Sequence, residues 1–432
     1  MIERILFVAV LGIAVYLIRK RVMQISSNIR IGKAQALQPS PQRWRNVLLV
    51  AFGQSKMFKR PIPAVLHFII YAGFLIINLE VLEFVLDGLL GTHRLFAPYL
   101  GALYPVLMNF FELLAVGVLT ACVVFLIRRN VVRLPRFQSP ELTKWPRLDA
   151  NIILLTEIVL MLAILKMNAA DQILQSRNSH YTPTGSLFFS GLLIPFYKGF
   201  STSFLVFVER ACWWFHIIGI LAFAVYVTYS KHLHIFLAFP NTYFARTAPV
   251  GQLTNMPVVT REVKSMLGLP PDSDVPPGEA GRFGAKDIND LSRHVLLSAY
   301  SCTECGRCTS ECPANQTGKK LSPRKIMMDV RDRMEDVGSQ LAAGKPGLDD
   351  GKSLLNDYIT REEINACTSC NACVEACPVL INPLDVIIEL RRYVAMEESG
   401  SPAAWNMMFQ NIETNFAPWK FPASDRAAWT QG

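Results

Sequence analysis

The sequence lacks the signatures by which many enzymes are recognised. It contains no GxGxxG dinucleotide fingerprint, no phosphate-binding loop and no Ser/His/Asp pattern typical of hydrolases. We therefore expect no substrate-converting site, and it stays open whether this chain is by itself an enzyme.

Charged residues are also scarce: they make up 18% of the 432 residues, whereas 51% are hydrophobic. A soluble globular chain is about a quarter charged. The apolar residues fall in blocks before residue 240 and most acidic residues follow it, which indicates a membrane half and then a water-soluble half. The net charge is +9, but the Lys and Arg lie between the apolar blocks, so they indicate membrane topology and not nucleic-acid binding.

Five apolar segments are candidates to cross a bilayer, which takes roughly 20 residues. They predict transmembrane helices at about 2–18, 62–86, 104–127, 150–169 and 204–230. The first is short, but Arg19, Lys20 and Arg21 follow it and no small-residue cleavage site does, so we interpret it as an anchor. We expect 187–197 to be re-entrant or interfacial, and 44–58 to lie along the membrane surface.

Loop charge predicts the orientation of these helices. The loop at 19–60 holds ten Lys and Arg with no acidic residue, and the loop at 128–149 holds six, whereas the alternate loops are poor in cations. Because cation-rich loops stay in the cytoplasm, we expect the N-terminus outside and the C-terminal half in the cytoplasm. The predicted location is the cytoplasmic (inner) membrane of a bacterium.

Eight of the ten cysteines form two runs, each with the spacing C-x2-C-x2-C-x3-C-P. In two-cluster ferredoxins the first three Cys of such a run hold one [4Fe–4S] cluster and the fourth holds the other. We therefore assign one cluster to Cys302, Cys305, Cys308 and Cys377, and a second cluster to Cys367, Cys370, Cys373 and Cys312. Structural zinc is the alternative, but zinc sites favour two Cys pairs separated by a longer loop.

The segment between the two runs carries helical patterns at 322–337 and 351–366. The predicted fold class is therefore mainly α: a five-helix transmembrane bundle followed by an α-helical dicluster ferredoxin-type domain. We divide the chain into a transmembrane domain at 1–240, a linker at 241–290, a two-cluster domain at 291–395 and a partner-docking tail at 396–432. The Pro- and Gly-containing stretch 270–284 is the centre of the linker.

Histidines inside predicted spans are functional candidates. The candidate haem ligands are His67, His216, His232 and His234. We expect His67 and His234 to lie at similar depth and to hold one haem b. His216 lies 18 residues before His234, on the same face of a continuous helix but too far away to share that haem.

A second haem at His216 needs another ligand, for which His93 and His180 in outer loops are candidates. The alternative is that His216 hydrogen-bonds to a neighbouring helix. His232 falls on the opposite face and is either a further ligand or a solvated side chain.

Ionisable residues gather in the outer half of the predicted spans: Glu80, Glu83, Glu112, Lys166, Glu209 and Arg210. Quinol oxidation releases protons that carboxylates can accept, so Glu80, Glu112 and Lys166 are candidates for a quinone or proton site. Structural pairing, for instance of Glu209 with Arg210, is the alternative.

These features resemble membrane-bound iron–sulfur proteins of the heterodisulfide reductase type. The membrane half is similar to the nitrate-reductase-gamma-like haem b subunits, through its five spans, His67, and His232 and His234 followed by the run 239–241. The soluble half resembles their two-cluster ferredoxin part, through 283–288, both cysteine runs and 321–324. The resemblance implies a mainly helical fold that carries haem b and two [4Fe–4S] clusters.

The chain departs from these relatives at two points. The haem family has a second His on the second helix, where this chain has His67 alone. Relatives continue into a cysteine-rich CCG domain, about where this sequence stops, so the resemblance implies a CCG-domain iron–sulfur or flavoprotein subunit as partner. The expected function is a membrane electron-transfer subunit of a quinone-linked oxidoreductase; the alternative is a haem-free membrane-anchored ferredoxin that docks redox partners.

Overall fold

The computed structural model describes residues 1–35, 37–270, 282–420 and 422–431. Within these ranges the chain is helical and forms no β-strand; two isolated bridges, Lys33 with Ser292 and Leu355 with Ile359, are the extended pairings there. The mainly α class expected from the sequence is therefore confirmed.

The N-terminal half contains five long helices and several short ones. The bounds are α1 Ile2–Arg30, α2 Pro41–Asn46, α3 Pro61–Leu90, α4 Ala97–Leu100, α5 Leu103–Asn130, α6 Trp145–Leu174, α7 Phe188–Gly191, α8 Ile194–Tyr197, α9 Thr202–Val227, α10 His234–Phe244 and α11 Pro257–Met266. A π-helical turn, Val47–Phe52, continues α2. The short helices α7 and α8 lie in the stretch expected to be re-entrant or interfacial.

Four helices in the described chain are long and apolar enough to cross a membrane, namely α3, α5, α6 and α9. The fifth predicted span is not confirmed, because Glu3 and Arg4 before the apolar stretch of α1 and Arg19 after it leave only 5–18 uncharged. Nevertheless α1 lies alongside the other helices. Phe7 packs against Trp213 of α9, with ring centroids 5.8 Å apart.

Close helix contacts hold the bundle together. Helix α6 packs against α5 and α9, and α3 packs against α5 and α1. A Cβ on Gly219 of α9 would stand 2.6 Å from Cδ2 of Leu160 in α6, so a larger residue there would force the Leu160 side chain to move. Small residues at such crossings let transmembrane helices come close enough for extensive van der Waals contact.

The C-terminal half is a second helical unit. Its bounds are α12 Arg293–Ser301, α13 Arg307–Ser310, α14 Pro313–Gln316, α15 Pro323–Ala342, α16 Arg361–Ala366, α17 Ala372–Ala376, α18 Pro383–Met396 and α19 Ala403–Asn415. Ser322 caps α15 by accepting a hydrogen bond from the Lys325 backbone N–H, as predicted for a helix from 322. The prediction of a helix over 351–366 was wrong. Only Arg361–Ala366 is α-helical there, because Asn356 adopts φ +79° and turns the chain.

The core of this unit begins before residue 291. Ala285, Ile288 and Leu291 are buried in it, although the sequence assigned 285–290 to the linker. A buried ion-pair group anchors this entry, because Arg333 donates hydrogen bonds to both Asp287 and Asp350. The centre of the predicted linker, 271–281, lies outside the described residues.

The two cation-rich loops contact the cluster-domain half. Arg60 of the first loop pairs with Glu311 at 2.7 Å, and Arg324 of α15 donates hydrogen bonds to the Arg136 carbonyl and to Glu141 of the second loop. The cysteine-containing unit therefore packs on the end of the bundle from which both basic loops emerge. We call this the cluster-facing end, and the opposite one the far end.

Candidate electron-transfer site

The first three cysteines of the first run and the last cysteine of the second run line one cavity. This first cysteine group consists of Cys302, Cys305, Cys308 and Cys377. Cys302 follows the last residue of α12, and Cys308 lies on α13. Gly306 between them has φ +72°, and a Cβ there would stand 2.5 Å from Nη1 of Arg324, so the turn favours glycine; Asn371 takes the corresponding position of the second run, with φ +61°.

The other four cysteines come together on the adjacent elements. This second cysteine group consists of Cys312, Cys367, Cys370 and Cys373. Cys312 interacts electrostatically with Cys367 and Cys373 across the contact of α13 with α17. Cys370 is exposed, whereas Cys312 and Cys373 are buried. Each run thus contributes its fourth cysteine to the group formed by the other run.

Burial shapes the chemistry of these thiols. It raises the pKa of Cys302 and of Cys373 to about 12 and that of Cys377 to about 11, so thiolates here need a cationic partner such as iron. Backbone N–H groups of Ser369 and Ile381 donate to the sulfurs of Cys367 and Cys377 at 3.4 and 3.3 Å. Such hydrogen bonds tune the potentials of iron–sulfur clusters.

The chemistry of the donor set bears on the group that it could hold. Eight thiols stand in two runs of four, and Cys302, Cys305, Cys308 and Cys377 line one cavity. Zinc sites favour two Cys pairs separated by a longer loop. This donor set fits iron–sulfur clusters better than zinc.

His67 of α3 and His234 of α10 form a histidine pair at the cluster-facing end. Their ring centroids are 6.3 Å apart. Nδ1 of His67 lies 3.0 Å from Oε1 of Gln54, and Nδ1 of His234 lies 3.1 Å from the carbonyl oxygen of Lys231. These contacts fix both rings and leave each Nε2 for a ligand.

His234 does not continue the fifth span, contrary to the sequence expectation of one helix through both His216 and His234. Helix α9 ends at Val227, and Ser230 is extended. The carboxylate of Asp149 accepts hydrogen bonds from the Tyr226 and Ser230 hydroxyls and from the Lys231 backbone N–H. Because this buried carboxylate satisfies the freed groups, the helix breaks there and the helical-phase argument fails.

His232 lies between the histidine pair and α9. Its ring centroid is 5.5 Å from that of His234 and 5.7 Å from that of Phe223. Burial, with further contributions from His234 and His67, lowers the pKa of His232 to about 3. The side chain is partly exposed, and the lowered pKa favours the uncharged imidazole at neutral pH.

His216 is 1% exposed in the middle of α9. Its Nδ1 lies 3.1 Å from the Leu160 carbonyl oxygen of α6, and its Nε2 has no hydrogen-bond partner among the described residues. The ring beside it belongs to Phe84, at 5.9 Å. His93 and His180 pair with each other at the far end, with ring centroids 6.2 Å apart. The contact of His216 with α6 agrees with the alternative of a helix-to-helix hydrogen bond, and the second haem stays a prediction.

A buried ionic network at the far end centres on Arg94, which the sequence reasoning placed in an outer loop. Arg94 is 3% exposed with φ +56°. It donates to Asp171 at 3.1 Å and to Asn168 at 2.7 Å, and lies 3.5 Å from Glu80. One signal in the sequence could have indicated this network: Arg94 is a single cation, next to His93, in a segment that is otherwise poor in cations.

The predicted carboxylates join this network but the predicted lysine does not. Glu112 accepts hydrogen bonds from Asn168, at 3.2 Å, and from Ser190. Lys166 is exposed on α6, so the structure does not bring it to Glu80 and Glu112. Glu209 is buried and pairs with Arg210, which agrees with the structural alternative.

Comparison with known proteins identifies part of the C-terminal half and relates the whole chain to larger proteins. Residues 301–381 match the family model of the 4Fe-4S dicluster domain. The chain is 29% identical to the probable iron-sulfur-binding oxidoreductase FadF of Bacillus subtilis, over 98% of this chain and 60% of the relative. It is 28% identical to the EtfAB:quinone oxidoreductase of Syntrophomonas wolfei, over 90% of this chain and 54% of the relative.

Shorter matches point in the same direction. A probable membrane-anchored ferredoxin of Chromohalobacter salexigens is 29% identical over 37% of this chain and 25% of its own length. No solved structure matches the chain. The chain spans 60% and 54% of the FadF and EtfAB:quinone oxidoreductase relatives. By these comparisons, the chain is homologous to iron–sulfur oxidoreductases that carry a 4Fe-4S dicluster domain.

Proposed function

We propose that this chain is the membrane electron-transfer subunit of a quinone-linked oxidoreductase. Electrons pass between a membrane quinone, haem b at the histidine pair, two [4Fe–4S] clusters and a cytoplasmic partner. The observation that carries the proposal is that the segment 54–56 connects the two donor sets. Oε1 of Gln54 lies 3.0 Å from Nδ1 of His67, and the Lys56 carbonyl accepts a hydrogen bond from Arg307, which lies between Cys305 and Cys308. A haem held by the pair would therefore lie beside the first cysteine group.

The proposed cluster ligands follow the two groups. One cluster is held by Cys302, Cys305, Cys308 and Cys377, and the other by Cys367, Cys370, Cys373 and Cys312. The cavity lined by the first group and the match of 301–381 to a dicluster family support this assignment. The clusters supply one-electron chemistry, and the exposed Cys370 makes the second group the port for the soluble partner.

The histidine pair fits a bis-histidine haem b. Two imidazoles that share one iron, each bonded at about 2 Å, have ring centroids about 6 Å apart, close to the 6.3 Å separation here. The hydrogen bonds at both Nδ1 atoms supply the outer contacts typical of metal-bound histidines. His216, with its unpartnered Nε2, is the candidate ligand for a second haem.

The far-end network is the proposed quinone and proton site. Glu80 and Glu112 are buried carboxylates connected through Asn168 and Arg94, and carboxylates can take up protons when a quinol is oxidised. The printed name of the Syntrophomonas wolfei relative, EtfAB:quinone oxidoreductase, supports a quinone as the membrane substrate. Lys166 plays no part in this version of the site.

The cation-rich loops support a cytoplasmic position for the cluster domain in a bacterial inner membrane, with α1 as the fifth span and the N-terminus outside. We propose a CCG-domain iron–sulfur protein or a flavoprotein as the partner subunit, docked near the tail at 396–432. The tail exposes Trp405, Met407, Phe409 and Trp419, and large apolar patches of this kind mark interaction sites.

The test is a dithionite-reduced minus oxidised optical spectrum of the purified chain, with iron and haem assays on the same sample. We expect a b-type haem band and about eight non-haem irons per chain, as two cubanes require. Eight irons without haem would refute the haem route. Fewer than about eight would refute the two-cluster assignment.

A membrane-anchored ferredoxin without haem is the second candidate function. The match to a probable membrane-anchored ferredoxin favours it. In that case the hydrogen bonds of His67 and His234 would hold the helices at the cluster-facing end, and electrons would reach the clusters from a docked protein. The haem assay separates the two functions.

A further inference from the structure

Each residue of the histidine pair is linked to the loop that carries the first cysteine group. This loop, 302–308, passes Cys302, Cys305 and Cys308, and has one charged residue between each two cysteines: Glu304 and Arg307. Both are buried, at 4% and 5% exposed. Each of them meets a segment of the membrane half that also contacts one of the two histidines.

The first link runs through Lys231. Its carbonyl oxygen lies 3.1 Å from Nδ1 of His234, and its ammonium group forms an ion pair with the Glu304 carboxylate. Glu304 has φ +55°, a conformation that few non-glycine residues adopt. The same carboxylate also pairs with Arg331 at 2.9 Å. Both cations are shared, because Lys231 lies 3.8 Å from Asp149 and Arg331 lies 3.4 Å from Asp332, so Glu304 depends on Lys231 as one of two partly engaged cations.

The second link runs through the segment 54–56. Oε1 of Gln54 lies 3.0 Å from Nδ1 of His67. Two residues later the carbonyl oxygen of Lys56 accepts a hydrogen bond from Nη1 of Arg307, at 3.3 Å. Gln54 is 5% exposed and also has a positive φ, +48°. The two links thus have the same arrangement. In each, a segment of the membrane half contacts Nδ1 of one histidine and also binds a charged residue of the cysteine loop.

These links have two physical effects. A hydrogen bond at Nδ1 fixes the orientation of an imidazole and makes its other nitrogen a stronger ligand. Fixed charges next to buried thiolates change the electron affinity of whatever the thiolates hold, because one negative charge is added on reduction and screening is weak in a buried site. An unpaired Glu304 would disfavour that added charge, and Lys231 offsets this effect.

We propose that Lys231 is a positioning residue that orients His234 through its carbonyl and holds the first cluster at a higher electron affinity by compensating Glu304. The inference rests on the proposed function, in which the first cysteine group holds a cluster. The step it serves is the transfer of one electron between the groups held by His234 and by the cysteines, with no bond made or broken. Gln54 has the matching positioning role for His67.

The test compares Lys231→Met with Glu304→Gln in the full chain, by redox titration of the cluster EPR signals. Lys231→Met keeps the carbonyl bond to His234 but leaves Glu304 less compensated, so the first cluster should bind its electron about tenfold more weakly, a shift of about 59 mV to lower potential. Glu304→Gln removes the anion, so we expect a shift of opposite sign. The second cluster should keep its potential in both variants.

Lys33→Met is the matched control. Lys33 also joins the two halves, with Nζ 3.8 Å from Oδ1 of Asp290, but this pair is formed outside both cysteine runs and away from the histidine pair. Its loss should leave both cluster potentials unchanged. If Lys231→Met also leaves the first potential unchanged, or if Lys33→Met shifts it equally, the inference is overturned.

Glu304→Gln keeps the test decisive should Lys231→Met fail to assemble, because an unchanged or lowered first-cluster potential in that variant contradicts the proposal by itself. A wild-type chain that contains no clusters would instead overturn the proposed function, and this inference with it. The iron assay on wild-type protein separates that result from a failure of the inference alone.

The role of Gln54 is tested by measuring the midpoint potential of the haem. Gln54→Leu removes the acceptor at Nδ1 of His67, which makes the imidazole a weaker donor to iron and should raise the haem midpoint potential. Gln42→Leu is the control, because Gln42 is exposed and bonds to Asn46. An unchanged haem potential in Gln54→Leu overturns the role of Gln54 and leaves that of Lys231 to its own test.

Discussion

The two ends of the bundle differ in how their charged side chains are paired and in how far they are exposed. At the cluster-facing end, cations of the membrane half meet acids of the cluster domain, many of them at the surface: the side chains of Lys59 and Glu375 are each 58% exposed. At the far end, Arg94 and its carboxylates are enclosed within the bundle. The first arrangement joins two domains, whereas the second places ionisable groups where water does not compete for them.

This difference predicts unequal costs. An exposed ion pair contributes about 0–1 kcal/mol, whereas removing one member of a buried network leaves an uncompensated charge and costs about 3–5 kcal/mol. The following predictions test the contrast, beginning with the cofactors, on which the cluster-facing half depends most.

Of all the changes considered, removing iron should produce the largest difference in stability between the two halves. Metal binding and folding are coupled where ligands are buried, so chelation under reducing conditions should deprotect the backbone amides of α12–α18, while those of α5 and α6 stay protected. Hydrogen exchange followed by mass spectrometry reports both halves in one sample. Equal deprotection of the two halves would show that the bundle depends on the clusters as well.

Cys377→Ser should abolish the same cluster as Cys302→Ser, although the two residues lie in different runs. The reason is that both side chains line one cavity. Cys312→Ser and Cys367→Ser should each abolish the second cluster instead. EPR spectra of the remaining cluster check this, with Cys212→Ser in the membrane half as the control; identical spectra for Cys377→Ser and Cys367→Ser would contradict the assignment.

Glu112→Gln should lower the rate of cluster reduction by a quinol about 100-fold, the lower range for loss of a general acid–base group. Reduction by dithionite should be unchanged, because the clusters lie at the other end. Stopped-flow absorbance measures both rates. If Glu112→Gln and Glu80→Gln both retain full quinol-dependent reduction, the far-end network is structural and the quinone binds elsewhere.

Arg94→Met should destabilise the bundle by about 3–5 kcal/mol, because Asp171 and Glu80 lose a buried cation. Unfolding in mixed detergent micelles, followed by circular dichroism, gives the difference in free energy. Arg177→Met is the control at the same end, since Arg177 is exposed and donates to backbone carbonyls. A loss below about 1 kcal/mol would mean that water reaches the network.

Lys59→Met should have the smallest effect, at most about 1 kcal/mol. Lys56 lies 3.8 Å from the same carboxylate of Glu375 and compensates in part. The same unfolding assay applies, and the effect should diminish further in high salt because exposed pairs are screened. A salt-independent loss of several kcal/mol would show that this pair is buried in the assembled protein.

Sequence reasoning was effective where local spacing controls geometry. Hydropathy located α3, α5, α6 and α9 within a few residues. The C-x2-C-x2-C-x3-C spacing predicts that the fourth cysteine of each run joins the other group. Cys377 does line one cavity with Cys302, Cys305 and Cys308, and the binding of clusters stays a prediction. Sequence reasoning was also sufficient to predict that His67 and His234 lie at one end of the bundle, because the alternation of cation-rich and cation-poor loops puts the start of the second span and the end of the fifth on the same side.

It failed where a distant side chain overrides a local pattern. Hydropathy correctly placed Arg94 in a loop, between α3 and α4, but gave no sign of its burial, because its compensating acids lie on α3 and α6 and are not local in sequence. The break between α9 and α10 depends on Asp149, about 80 residues earlier in the chain. The 351–366 pattern failed for a related reason, because Leu354 and Leu355 are buried by the cluster-domain core in a turn, so their apolar character did not require a helix.

Helix α1 extends beyond the bundle and into the cluster domain. Near its end Asn28 donates a hydrogen bond to the Tyr300 hydroxyl at 2.8 Å, and it lies so close to α15 that a Cβ on Gly338 would meet its side chain at 2.1 Å. One continuous helix thus contacts both halves and fixes the distance between them. In the proposed function, a soluble electron carrier would therefore meet the cluster domain in this position and approach the second cysteine group, where Cys370 is exposed.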